Sequence, residues 1–192
     1  MRQTILWFLA GIFVMAFYAP SAHAQKMPAG MRIEVAESEG NNSEYSIFTY
    51  KDKDDEESFG YYLSLGRVTN LLSIIRDDIT DTTFEDIRET CVWLGSTYDE
   101  AMFTLDNILD IFDDEEGTVV EFKGRAVAKG DRLGEPTTST CTVQKKMLGG
   151  KRLSFVFVCG KRQAETYLTK AVVKELRAGM KIDKKLHPKQ HR

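Results

Sequence analysis

Between residues 82 and 113 apolar side chains recur in alternating steps of three and four: Phe84, Ile87, Cys91, Leu94, Tyr98, Ala101, Leu105, Ile108 and Phe112. That spacing lays one stripe along an α-helix. Glu85, Arg88, Glu89, Asp99, Glu100, Asp106 and Asp110 fill much of the remainder. The stripe predicts one long amphipathic helix over about 82–113. Two capping boxes compete over where it starts. Thr82 with Glu85 would open a helix at the beginning of the stripe, and Thr97 with Glu100 would open a second one after Gly95. The stripe passes Gly95 without losing phase, which favours a single helix over two. Gly117 offers a stop. The acidic run Asp113, Asp114, Glu115, Glu116 has the wrong sign for a helix C-terminus, so that end is expected to fray.

Such a helix needs an apolar partner, and the segments on either side read as strands. Met31, Ile33 and Val35 alternate with polar residues, and 45–50 and 59–65 follow as a second and third strand. Segment 68–79 fits helix and strand equally well, and 52–57 is an acidic loop. After Gly117, strands are expected over 118–129, 137–147 and 153–159, with a loop at 130–136. Ala164, Tyr167, Leu168, Ala171, Val172 and Leu176 mark a second amphipathic helix, stopped near Gly179. The fold class is therefore α+β: antiparallel strands in two sets separated by the long helix, with a C-terminal helix packed on the sheet.

Residues 1–24 read as a cleaved signal peptide, with Arg2, an apolar run over 5–17, Pro20 and Ala22-His23-Ala24. The run is too short to span a bilayer. The expected product is an exported, soluble protein, secreted or periplasmic. It has a single domain over 25–180 and a flexible basic tail over 181–192. Charge divides it sharply. Residues 31–116 hold 23 acidic against 6 basic residues, net −17; residues 117–192 hold 6 against 18, net +12. Either the halves neutralise each other or the basic half meets an anionic partner.

The chain has three histidines: His23 in the leader, His187 and His191 in the tail. A histidine-free core removes the usual Ser-His-Asp and Cys-His sites and the common zinc motifs. No phosphate-binding loop or dinucleotide fingerprint is present, so neither metal nor cofactor is called for and no catalytic residue is assigned. The favoured function is a non-catalytic binding or envelope-associated protein. The alternative is a small carboxylate-based hydrolase, which would need two facing carboxylates in an aromatic-walled cleft. Lys145, Lys146, Lys151 and Arg152 form a basic hairpin tip, a patch for an anionic envelope component or an acidic protein surface. Nucleic acid is a poor partner for an exported chain with so acidic a first half.

The cysteines are Cys91, Cys141 and Cys159. Cys141 and Val143 share a face of one strand; Leu153, Phe155, Phe157 and Cys159 share a face of the next. Both faces turn to one core only if paired residue numbers sum to an even value. A three-residue loop over 149–151 gives a sum of 300. That register sets Cys141 opposite Cys159 and predicts a disulfide between them, with Cys91 free in the core.

Overall fold

The computed structural model describes residues 30–40, 43–51, 59–67, 89–127, 133–147, 149–159 and 162–191. The expected leader over 1–24, the expected acidic loop over 52–57, segment 68–79 and the opening of the stripe over 82–88 lie outside them. The strands are β1 Arg32–Gly40, β2 Ser43–Tyr50, β3 Gly60–Arg67, β4 Glu89–Gly95, β5 Val119–Val127, β6 Leu133–Lys145, β7 Lys151–Cys159 and β8 Arg162–Thr169. They form one sheet in sequence order, every neighbouring pair antiparallel. Helix α1, Tyr98–Ile111, lies between β4 and β5, and α2, Lys170–Leu186, follows β8.

The α+β class and the C-terminal helix hold, but the long helix and the two strand sets do not. Residues 89–95 are a strand that pairs with β3 on one side and β5 on the other, joining everything into one sheet. The reason lies in its two faces. Thr90, Val92 and Leu94 alternate with Cys91 and Trp93, and all but Trp93 are fully buried. A strand apolar on both sides contains the helical three-and-four spacing by coincidence. Gly95 then turns the chain at φ +151°, where a Cβ would strike the Glu100 Cβ at 2.5 Å. The second capping box is real: Thr97 accepts from the Glu100 backbone and Glu100 returns to the Thr97 backbone.

At the C-terminal end the helix starts later and runs further than expected. Residues 162–169 form β8, with Ala164, Thr166 and Leu168 inward, and Thr169 caps α2 by accepting from the Val172 N–H. Gly179 does not stop α2. It is where the helix touches β1, since a Cβ there would meet the Ala36 Cβ at 2.8 Å. The loop expected over 130–136 gives way at Leu133, where β6 begins.

The inner sheet face is continuous and apolar: Ile47, Leu63, Leu65, Val92, Leu94, Cys141, Val143, Leu153, Phe155, Phe157 and Leu168 are buried in one cluster. α1 covers it with Ala101, Leu105 and Ile108, and α2 with Val172, Val173, Leu176 and Met180. Each fully buried Leu, Ile or Phe contributes about 1.5–3 kcal/mol of transfer free energy, so this face dominates the fold. The sheet curls until its far strands approach: the Tyr45 hydroxyl on β2 donates to the Tyr167 carbonyl on β8 at 2.7 Å. α2 runs along β1, where Ser38 donates to Glu175 at 2.6 Å. A smaller outer cluster holds Phe48, Tyr50, Tyr62 and Cys91, with Phe48 stacked on Tyr62.

The two helices are joined by an ion ladder with a heptad repeat. Asp113 pairs with Lys170, Asp106 with Arg177 and Asp99 with Lys184. Each acid is seven residues from the next, each base likewise, and the two rows run antiparallel. A seven-residue step keeps a side chain on nearly one line of a helix, so three rungs form between two helices side by side. The central rung is the most sheltered, with Arg177 Nη2 donating to Asp106 Oδ2 at 3.0 Å. Partly exposed pairs of this kind couple by about 0.2–1 kcal/mol.

Two consequences can be measured. Asp106→Lys and Arg177→Asp should each lower the urea midpoint, and the double exchange should recover most of the loss, with an interaction term of about 0.3–1 kcal/mol; strictly additive losses would dissolve the ladder as an energetic unit. Gly179→Ala at an open helical site would stabilise by about 0.5–1 kcal/mol. Here it should destabilise, and adding Ala36→Gly should reverse the sign in thermal unfolding.

Candidate functional site

The β6–β7 hairpin closes with Lys145 opposite Lys151 and Gln144 opposite Arg152. Residues 146–150 make the loop, where Lys146 N–H donates to the Gly150 carbonyl at 3.0 Å and both Gly149 and Gly150 take positive φ. Paired numbers sum to 296, so the loop is five residues long rather than three. Five and three are both odd, which is why the inner faces still match: Cys141, Val143, Leu153, Phe155 and Phe157 share the core.

The change of register removes the basis for the Cys141–Cys159 disulfide. Cys141 stands opposite Phe155, and its thiol is free and buried. Cys159 lies four residues further along β7, about 13 Å at roughly 3.4 Å per residue, well beyond the Cα separation of about 4.4–6.8 Å that a disulfide spans. Burial pushes the Cys141 thiol up to about 12. The Cys91 thiol, also free, is pushed well above its ordinary value, by burial first and by Glu89 second. Both are protonated packing groups at neutral pH, without the thiolate that reactivity needs.

The four basic residues read as one patch separate by strand parity. Arg152 leaves on the outer face, its guanidinium 3.8 Å over the Tyr167 ring and its Nε bonded to Gln144. Lys145 pairs with Glu116 at 2.9 Å. The Lys151 ammonium donates to the Asp114 carbonyl. Lys146 is exposed and enters no ion pair among the described residues. The acidic end of α1 thus meets the basic hairpin and the start of α2, and two of its four acids, unfavourable beside the helix C-terminus, acquire lysine partners: Asp113 with Lys170 and Glu116 with Lys145.

A cleft of about 520 Å³ lies where this hairpin end meets α1 and α2. It is lined by Phe112, Asp113, Lys146, Gly150, Lys151, Thr169, Lys170 and Ala171. Three ammonium groups face one carboxylate, and Asp113 is gripped by Lys170 at 2.7 and 2.9 Å. Lys170 was absent from the patch read in the sequence. Its signal was the heptad row Lys170, Arg177, Lys184, which has meaning only beside the matching row on α1. The cleft offers charge for an anion; it does not offer the two facing carboxylates of a glycoside-type site.

A second constellation sits at the other end of α2. The expectation of a flexible tail from residue 181 fails, because α2 continues to Leu186 and the chain then folds back. His191 is 1% exposed at its side chain. Its Nδ1 lies 2.8 Å from Tyr61 Oη and its Nε2 2.6 Å from Asp183 Oδ2. Tyr98 meets the ring edge-on at 5.3 Å, and the Lys184 ammonium covers Tyr98. His187 holds the other oxygen of Asp183 at 2.8 Å. The core edge therefore does contain a histidine, contrary to expectation. Asp183, His191 and Tyr61 stand in the order of a proton relay, but Tyr61 is 1% exposed. Burial, with Asp183 second, pushes its hydroxyl up to about 12. The line anchors the C-terminal turn against β3 and α1 and presents no reactive group to solvent. Among the described residues no group of His, Cys, Asp and Glu side chains is placed to hold a metal ion, and no helix is long and apolar enough to cross a membrane.

No family model, curated protein or solved structure matches the chain.

The hydrogen bond from Lys170 holds the Asp113 carboxyl below its ordinary 3.8, and the hydrogen bond from Lys145 holds Glu116 below its ordinary 4.5. A carboxylate with a depressed folded pKa adds stability above its unfolded pKa and loses it as pH falls through the folded value. The stability gap between wild type and Lys170→Met should therefore be present at neutral pH and close as pH drops below about 4. Urea midpoints across a pH series measure it; a gap that persists into acid would detach the stabilisation from the ion pair.

Proposed function

We propose that this is an exported, non-catalytic binding protein that meets an anionic partner at the hairpin end beside α2. The cleft lining carries the reading: Lys146, Lys151 and Lys170 against the single carboxylate of Asp113, with Lys146 outside any ion pair among the described residues. A secreted or periplasmic address follows from reading residues 1–24 as a leader, and places an anionic envelope component or an acidic protein surface within reach. The chain's net charge is only −3, and Lys145, Lys170, Arg177 and Lys184 of the second half are answered by acids of the first. The partner is therefore recognised at a restricted site rather than by a broad basic field.

Binding of the exported protein to native envelope fragments at low salt tests this. Lys146→Gln and Lys151→Gln should each weaken binding roughly fivefold, the equivalent of about 1 kcal/mol per surface cation. The difference should shrink at high salt, where exposed charges are screened beyond about 3–8 Å. Arg152→Gln, on the other face of β7, should leave binding unchanged. Equal binding by wild type and the two lysine variants would reject the site.

A further inference from the structure

The helix α2 carries two rows of cations, and the ion ladder uses only one. Lys170, Arg177 and Lys184 are taken by α1. Lys174, Lys181 and Lys185 form a second row, all exposed and none in an ion pair among the described residues. At 3.6 residues per turn this row lies on the side of α2 opposite Val173, Leu176 and Met180. Next to it runs a second apolar stripe of Ala171, Ala178, Ile182 and Leu186, every member exposed, with Ile182 at 58% and Leu186 at 68%.

The helix has two acids, and both are occupied. Glu175 accepts from Ser38 of β1, and Asp183 is held between His187 and His191. The outward arc of α2 thus presents three lysines and the aliphatic stripe against one carboxylate, Glu175, whose Oε2 is turned to Ser38 of β1. A helix whose outer face pairs a lysine row with an aliphatic stripe is suited to lie in the plane of an anionic bilayer surface, lysines at the headgroups and aliphatic side chains below them. The hairpin end extends the same face of charge: Lys146 and Gly150 adjoin Lys170 and Ala171 at the start of α2, and Met147 at the tip is fully exposed.

We infer that α2 is the docking surface of this protein for an anionic lipid bilayer, with Ile182 and Leu186 entering the interface and Lys174, Lys181 and Lys185 facing the headgroups. This rests on the preceding reading for an anionic partner and commits that partner to lipid. Membrane binding here is peripheral and reversible, and occupies a helix already folded in the free protein. An acidic protein is the less favoured occupant, because an exposed aliphatic stripe gains more from hydrocarbon than from a charged protein rim.

Vesicle flotation decides between them, using the exported protein with phosphatidylcholine vesicles that contain or lack phosphatidylglycerol. Wild type should float with the phosphatidylglycerol vesicles and stay behind with pure phosphatidylcholine. Lys174→Gln with Lys181→Gln and Lys185→Gln should cut binding at least about tenfold. Ile182→Ser with Leu186→Ser should cut it comparably, and the remaining binding should become more sensitive to salt. All five side chains are exposed, so circular dichroism should match wild type, and all variants share one N-terminus. Binding independent of phosphatidylglycerol, or unchanged in either α2 variant, would overturn the inference. So would capture of an acidic protein or of a second copy, seen by light scattering, with no flotation. Weaker envelope binding by Lys146→Gln and Lys151→Gln while the α2 variants bind as wild type would keep the hairpin cleft and reject α2; the loss of neither would reject both.

Discussion

An eight-stranded antiparallel sheet with one continuous apolar face must cover that face, and this chain does so with only two helices among its described residues. Residues from β2, β3, β4, β6, β7 and β8 turn inward together, so the requirement falls on the whole sheet. Curling brings β2 toward β8, and α2 seats against β1 through the bare backbone of Gly179. The placement of α1, the hairpin cleft and the buried His191 all depend on α2 lying where the inner face needs it.

Charge then follows packing. The strong division between an acidic first half and a basic second half is answered in part within the molecule. Asp99, Asp106, Asp113 and Glu116 of the first half meet Lys184, Arg177, Lys170 and Lys145 of the second. Individually these partly exposed pairs are weak. Collectively they select one antiparallel alignment of α1 and α2, because a shift by one turn would set every rung out of step. Lys146 at the hairpin and the outer row of α2 stand outside this pairing among the described residues.

Much of this was legible in the sequence, and each failure has a physical cause. Period-2 alternation located β1, β2, β3, β5, β6 and β7, and the Thr97–Glu100 box marked the true start of α1. Strand parity brought Cys141, Val143, Phe155 and Phe157 to one core. One error fell where both faces of a segment are buried. β4 is apolar on either side, so its periodicity spoke equally for helix and strand. Gly179 looked like a terminator because a glycine needed for close approach and one needed for a helix end are the same letter. Loop length escaped because parity separates odd from even, not three from five, and with it went the cysteine pairing. His191 could not be placed in the core from sequence, since its partners Tyr61, Tyr98 and Asp183 are assembled only by the tertiary fold.

Strand order has a bearing on how the chain reaches its folded form. Each of the seven ladders joins strands adjacent in sequence, so the sheet can grow by successive local pairings, a route with little loop-closure entropy at each step. The closing contacts are of the opposite kind. Ser38 bonds Glu175 across 137 residues and Tyr61 meets His191 across 130. Until residues 170–191 arrive, β1 keeps a bare flank and the inner face keeps an uncovered stretch. A chain emerging from its N-terminus therefore holds its first strand incomplete until α2 has formed and seated against it.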